Sequence, residues 1–199
     1  MEQSRRELNK INCRRRILKA SRKLFSTKGY EDTMIEDIAK KAEVSKATVY
    51  NYFPNKESLL IGTADEVLER VRDLVKNDLA ACANSEQKLR RVLEEAVQAS
   101  VDYLSLSRKI NYLNSCEDSA LFATRTHMME VIMGLIRAAQ SEGVFRADAD
   151  PDDMVDVVMG IYLIAQFQWS HIDRYAPEFL HEKLNRFFTA MMWSYYAGQ

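Results

Sequence analysis

The sequence predicts an all-α protein in two parts, a small basic amino-terminal unit of three helices followed by a larger, acidic helical body. Three observations carry this reading. Only 6 Gly and 3 Pro interrupt 199 residues, and apolar side chains, in a composition that is 47 % hydrophobic and ample for a core, recur at three- and four-residue spacing. Charge is divided along the chain: residues 1–56 hold 14 Lys and Arg against 7 Asp and Glu, whereas 57–199 hold 14 against 22, so a net charge of −1 conceals +7 joined to −8. Finally, residues 33–56 are dense in helix start and stop signals.

Residues 1–9 are polar and read as a frayed end. With Arg5, Arg6, Lys10, Arg14, Arg15 and Arg16 they form a basic arm that can lie along phosphates or reach into a minor groove; a solvated, disordered end is the equal alternative. Ile17, Ala20, Ser21, Leu24 and Phe25 follow helical spacing, and Gly29 stands where a left-handed cap would end that helix. Thr33 and Glu36 form a capping box for a helix starting at Met34, whose buried stripe is Ile35, Ile38, Ala39 and Ala42. The pattern breaks at Glu43, Val44 and Ser45, and Ser45 can cap a second helix beginning at Lys46. Val49 and Phe53 give that helix its inner edge. Pro54 then disfavours helix at Phe53, and Asn55 can cap a third helix opening with Lys56. Phe25, Ile38, Val49 and Phe53 are the expected core of this small unit.

Two short helices joined by such a turn are the helix-turn-helix, whose second member presents its first residues to base edges in a major groove. Lys46 can reach a guanine or a phosphate, Ser45 and Thr48 can donate or accept, and Tyr50, Asn51 and Tyr52 supply ring, amide and hydroxyl contacts. A basic quarter on an acidic body is the distribution expected of a nucleic-acid reader attached to something else.

Thr33, Ile38, Ala39, Ala42, Val44, Ser45, Thr48, Tyr50, Tyr52, Phe53, Lys56, Glu57 and Leu59, with Ile17 to Phe25, Gly29 and Tyr30 before them, resemble the TetR/AcrR family of transcriptional regulators over roughly residues 14–60. Glu43 departs from the family, which usually has glycine there; if the backbone is left-handed, a side chain costs roughly 1 kcal/mol. The resemblance implies a helix-turn-helix DNA-binding domain with its basic arm at 1–56 and a helical effector-binding and dimerisation domain at 57–199. Thr33, Ser45, Lys46, Ala47, Thr48, Tyr50, Asn51, Tyr52 and Lys56 are the expected DNA contacts, with Lys56 at a helix start suited to a phosphate.

In the body, Leu60, Ala64, Val67, Leu68, Val71, Leu74 and Val75 predict one long helix from Lys56 to about residue 81, a rigid lever between reader and body. A turn at 81–85 leads to a helix through Leu89, Val92, Leu93, Ala96, Val97 and Leu104, ending near 105–107. A short helical piece at 110–113 and a long helix from about 118 to a stop at Gly143 follow. The helix at 152–171 and the one after Pro177 are apolar on more than one face, which predicts burial against a twofold copy as well as their own body. Val158, Tyr162, Leu184, Phe187, Phe188 and Met191 are the candidates for that homodimer interface; a thick single-chain core is the alternative.

Family resemblance also implies an effector pocket in the bundle. Its candidate lining is Tyr103, Tyr112, Cys116, Phe122, Met128, Met129, Met133, Gln166 and Trp169, polarizable walls with a few polar groups suited to an apolar or amphipathic molecule, although such residues are more often plain core.

Other chemistries lack support in the sequence. His127, His171 and His181 are too far apart for metal-ligand spacing, Cys13, Cys82 and Cys116 imply neither a disulfide framework nor a zinc site, and no catalytic or nucleotide-binding motif occurs. No metal, cofactor or catalytic residue is expected. Without an apolar run long enough for a bilayer or a signal-peptide core at the start, a cytoplasmic location is expected. The leading expectation is a dimeric repressor of operator DNA released by a small molecule. A helical lipid- or metabolite-binding protein that does not read DNA, and an activator of the same architecture, stand as alternatives.

Overall fold

A computed structural model describes residues 2–78 and 82–198, and among them the regular structure is helical, with one isolated β-bridge between Phe145 and Tyr196. The helices are α1 (Glu2–Thr27), α2 (Ile35–Ala42), α3 (Lys46–Tyr52), α4 (Lys56–Asp73), α5 (Ser85–Val101), α6 (Leu104–Leu113), α7 (Phe122–Ser141), α8 (Pro151–Phe167) and α9 (Pro177–Met192).

The first three helices and the start of α4 enclose a small core. Phe25, Ile38, Val49 and Phe53 are all buried there, as their spacing predicts. α1 is longer than expected: the positions read as frayed are helical from Glu2, because no glycine or proline interrupts a run of strong helix formers. The helix ends where Gly29 adopts φ +92°, a conformation open to glycine without a Cβ penalty. Ser45 caps α3, its Oγ accepting from the Thr48 amide at 3.0 Å, and Asn55 caps α4, its Oδ1 accepting from the Ser58 amide at 2.7 Å. At Gly62 an added Cβ would lie 3.0 Å from both Leu18 and Phe53, so glycine is what lets α4 approach α1 this closely.

The predicted cap of α2 is corrected. Thr33 is 1 % exposed and its hydroxyl donates to the Gly29 carbonyl at 2.6 Å, leaving Met34 as the cap position and Ile35 as the first helical residue. The Asp37 carboxylate, rather than Glu36, reaches back to the Met34 amide, at 3.4 Å. Glu43, the departure from the usual glycine, is left-handed, with φ 55° and ψ 46°. Relief of the Cβ clash exceeds the added freedom of an unfolded glycine by about 0.5 kcal/mol, so Glu43→Gly is expected to raise the melting temperature by about 1–2 °C. Calorimetry showing a lower temperature would mean that Glu43 is held by something other than strain.

α4 joins the two parts of the molecule. Leu59, Leu60 and Ala64 belong to the head's core, and Val71 belongs to a second core built by α5, α7, α8 and α9. After Asp73 the helix widens into a π turn at Leu74–Asp78; its predicted end near residue 81 lies outside the described residues, as does the start of the predicted 81–85 turn. The helix predicted to run to about residue 106 stops at Val101, where Ser100 turns its hydroxyl back onto the Val97 carbonyl at 2.5 Å and competes with the backbone ladder. The residues beyond form α6, longer than the short piece expected at 110–113, while α7 starts at Phe122, four residues later than read.

Arg90 ties the far end together. Its guanidinium pairs with Glu86 and donates to the Asn185 carbonyl, Thr189 Oγ1 and the Tyr196 hydroxyl, joining α5 to α9 and the carboxy-terminal residues. Burial, together with the hydrogen bond to Glu86, pushes the Tyr196 phenol up to about 12.

Candidate nucleic-acid interface and effector cavity

α3 holds its inner edge through Val49, which is fully buried, and turns Lys46, Ala47, Tyr50 and Asn51 outward together with the capping Ser45. These positions are one turn apart, so they share a continuous exposed strip about the size that enters a major groove. Lys46 pairs with Glu36 of α2 and lies 5.8 Å from the centre of the Tyr50 ring. The pair is exposed, so a phosphate or base edge can take over the ammonium at little cost. Thr48 is half-buried, its hydroxyl sharing a hydrogen bond with Ser45 Oγ at 2.8 Å.

The other expected contacts are placed differently. Thr33 is buried, as above, which removes its side chain from any phosphate. Tyr52 is half-buried, and burial together with the neighbouring Cys13 thiol pushes its phenol up. Lys56 turns toward the loop before α2: its Nζ donates to the carbonyls of Glu31 at 2.9 Å and Thr33 at 3.1 Å and stands 4.6 Å from the Tyr30 ring centre. Its role in the free protein is to fix that loop to the start of α4.

A cavity of about 130 Å³ lies between the two cores, bounded by α4, α5, α6, α7 and α8, with Arg22 of α1 at its edge. Leu68, Leu93, Leu106, Ile110, Met128 and Ile132 give it an apolar lining. Of the sequence-predicted pocket residues, Tyr103 and Met128 line it. Gln166 is fully buried one layer behind and bonds to the hydroxyl of Ser100, which does line it. Met129 and Met133 pack on the second core, Phe122 is half-buried away from the cavity, and Trp169 packs edge-on against Phe187 at 5.8 Å. Tyr112, 70 % exposed, and Cys116 face solvent. The walls from α4 and α5 escaped sequence reasoning; the signal was present in Ala64, Val67 and Leu68, an apolar band wider than one face of a lever needs.

The expected dimer residues also divide. Val158, Leu184 and Phe188 are buried in their own chain, and Val158 and the half-buried Tyr162 line the cavity. Phe187 is half-buried and Met191 is 40 % exposed. The apolar side chains left open nearby are Phe167, Phe179, Met191 and Trp193, and Gly160 of α8 has nothing within 4 Å of an added Cβ.

α6 touches both regions. Its Leu106, Ile110 and Asn111 face the cavity, while Ser105 Oγ donates to the Ser26 carbonyl at 3.1 Å and Lys109 pairs with Glu31 at 2.7 Å. Lys109 thus reaches the same loop that Lys56 holds, lying 5.2 Å from the Tyr30 ring centre. Among the described residues no helix is long and apolar enough to cross a membrane.

Comparison with known proteins agrees with this geometry. Residues 17–62 match the family described as bacterial regulatory proteins, tetR family, and residues 84–176 match the SbtR-like transcriptional regulator C-terminal domain. The HTH-type transcriptional repressor KstR2 of Rhodococcus jostii (strain RHA1) is 26 % identical over 174 residues, covering 84 % of this chain and 82 % of that protein. The transcriptional regulator FadR from Bacillus subtilis, solved in complex with stearoyl-CoA, superposes with a TM-score of 0.73 at 19 % identity, over 88 % of this chain and 96 % of its own. FadR from Thermus thermophilus, a repressor solved with lauroyl-CoA, gives 0.64 at 23 % identity, over 90 % and 93 %. With both its helix-turn-helix head and its helical body matched, the chain belongs to the TetR family of transcriptional regulators.

Proposed function

We propose that the protein is a homodimeric repressor that binds operator DNA through α3 and releases it when a small amphipathic molecule occupies the cavity. The observation that carries this reading is the double attachment of α6, which contributes cavity wall on one side and contacts the head on the other. A guest that displaces Leu106 or Ile110 moves the anchor of the Glu31 loop, and with it the angle of the head. Two heads on a twofold dimer must present their recognition helices about 34 Å apart to meet successive major grooves. A change in that separation lowers affinity, and a ligand drives it only through unequal affinity for the two arrangements.

For the dimer, the exposed apolar surface of α8 and α9 supports an interface built on Phe167, Phe179, Phe187, Met191 and Trp193, with Gly160 allowing close helix approach. The regulators solved with acyl-CoA molecules support an effector with an apolar part.

Filling the cavity tests the coupling without knowledge of the effector. Ala96 lines it and is 9 % exposed. Ala96→Leu is expected to weaken binding to a selected operator duplex by about tenfold, or 1.4 kcal/mol, while overpacking typically costs about 1–3 kcal/mol of stability. Fluorescence anisotropy showing unchanged affinity in a folded variant would separate the cavity from DNA binding.

A further inference from the structure

Arg22 is a head residue that borders the cavity. It lies on α1, and its guanidinium stands 5.5 Å from the ring centre of Tyr103, which also lines the cavity. Nη1 pairs with Glu66 of α4 at 3.2 Å, yet Arg22 Nε is buried with no acceptor and Glu66 Oε2 lacks a well-directed hydrogen bond. An Arg–carboxylate pair reaches full strength when two parallel N–H···O bonds form, and this one falls short of that. Burial pushes the Glu66 carboxyl up although Arg22 and Arg14 act against it. The other charged side chains on the wall are Arg70, Arg125 and Asp102, so cations outnumber anions there. Arg70 is paired with Glu95, while Arg125 has no ion pair or hydrogen bond among the described residues.

On the reading that this cavity is the effector site, we propose that it recognises a carboxylate with a compact apolar body, the anion competing with Glu66 for the guanidinium of Arg22. A benzene-sized guest fits a dry cavity of about 150 Å³, so the 130 Å³ here sets the apolar body at a ring or a chain of similar bulk. The consequence is regulatory. Arg22–Glu66 is an ion pair between α1 and α4 beside the cavity, and a guest that draws the guanidinium away loosens the head from its lever at the same time as it fills the space behind α6.

Hexanoate and 1-hexanol are chains of six carbons that differ in charge, and the extra apolar carbon of the alcohol works against a preference for the acid, so their binding to the full-length protein, followed by methyl NMR titration, reads the contribution of the anion. The wild type is expected to favour hexanoate by at least tenfold. Arg22→Gln should abolish that preference while 1-hexanol still binds, and Glu66→Gln, which removes the competing carboxylate, should tighten hexanoate several-fold. An undiminished preference in Arg22→Gln, or no gain in Glu66→Gln, overturns the assignment even if both ligands enter the cavity. Failure of the wild type to bind either ligand overturns it too, while the coupling of cavity to operator is judged separately by Ala96→Leu.

Discussion

Replacing Met191 and Trp193 by glutamate is expected to convert the protein into monomers and to weaken operator binding by about 10²- to 10⁴-fold, the range that linking two binding modules contributes through effective concentration. Both side chains are exposed in the single chain, at 40 % and 57 %, and neither belongs to the protomer's buried core. In a dimer built on this surface the new carboxylates would be taken out of water, adding the cost of burying charge to the loss of apolar contact. Leu184 is unsuitable for the same purpose: at 4 % exposure it is part of the protomer's core, and a carboxylate there would damage the fold before it reported on assembly. Sedimentation velocity and anisotropy on the same sample check the two halves of this expectation. Dimers persisting with full affinity would move the interface to another surface.

Asn51→Ala and Tyr50→Ala are expected to change which operator is preferred, each at a cost of about 1–3 kcal/mol on the cognate duplex, the value of one good base contact. Lys46→Ala should act differently. A residue that neutralises phosphate weakens all duplexes alike and lowers the slope of log K against log salt by about 0.9. Lys46 is turned toward α2, where it pairs with Glu36, whereas Tyr50 and Asn51 lie one turn further along the exposed strip of α3. A repeat of the duplex selection with each variant reads the difference, and unaltered selectivity for Asn51→Ala and Tyr50→Ala would remove them as readers.

The head was legible because its boundaries depend on local chemistry. Ser45 and Asn55 cap the helices expected of them, Gly29 adopts the left-handed turn, and the strain anticipated at Glu43 is present in its dihedrals. Thr33 failed for a local reason too: a buried hydroxyl can satisfy itself on a carbonyl of the preceding turn, and nothing in the T-x-x-E pattern says which partner is nearer. The body was legible as helices and poorly legible as surfaces. An apolar stripe on α8 or α9 reports that a side is covered without naming the cover, so Val158, Leu184 and Phe188 read like interface while facing inward. The cavity lining was harder still, because it is assembled from six helices, and Arg22 enters it from the unit assigned to DNA. Lys56 shows the same limit: its position at a helix start suggests an anion, but three-dimensional proximity gives it two carbonyls and a ring.

The most direct test of a paired basic head gripping duplex DNA is a binding-site selection from random duplexes with the full chain at fixed salt. The account predicts enrichment of an inverted repeat whose half-site centres are a whole number of helical turns apart, about 10 base pairs for each turn. Recovery of no preferred sequence, or of single half-sites without twofold symmetry, would contradict it.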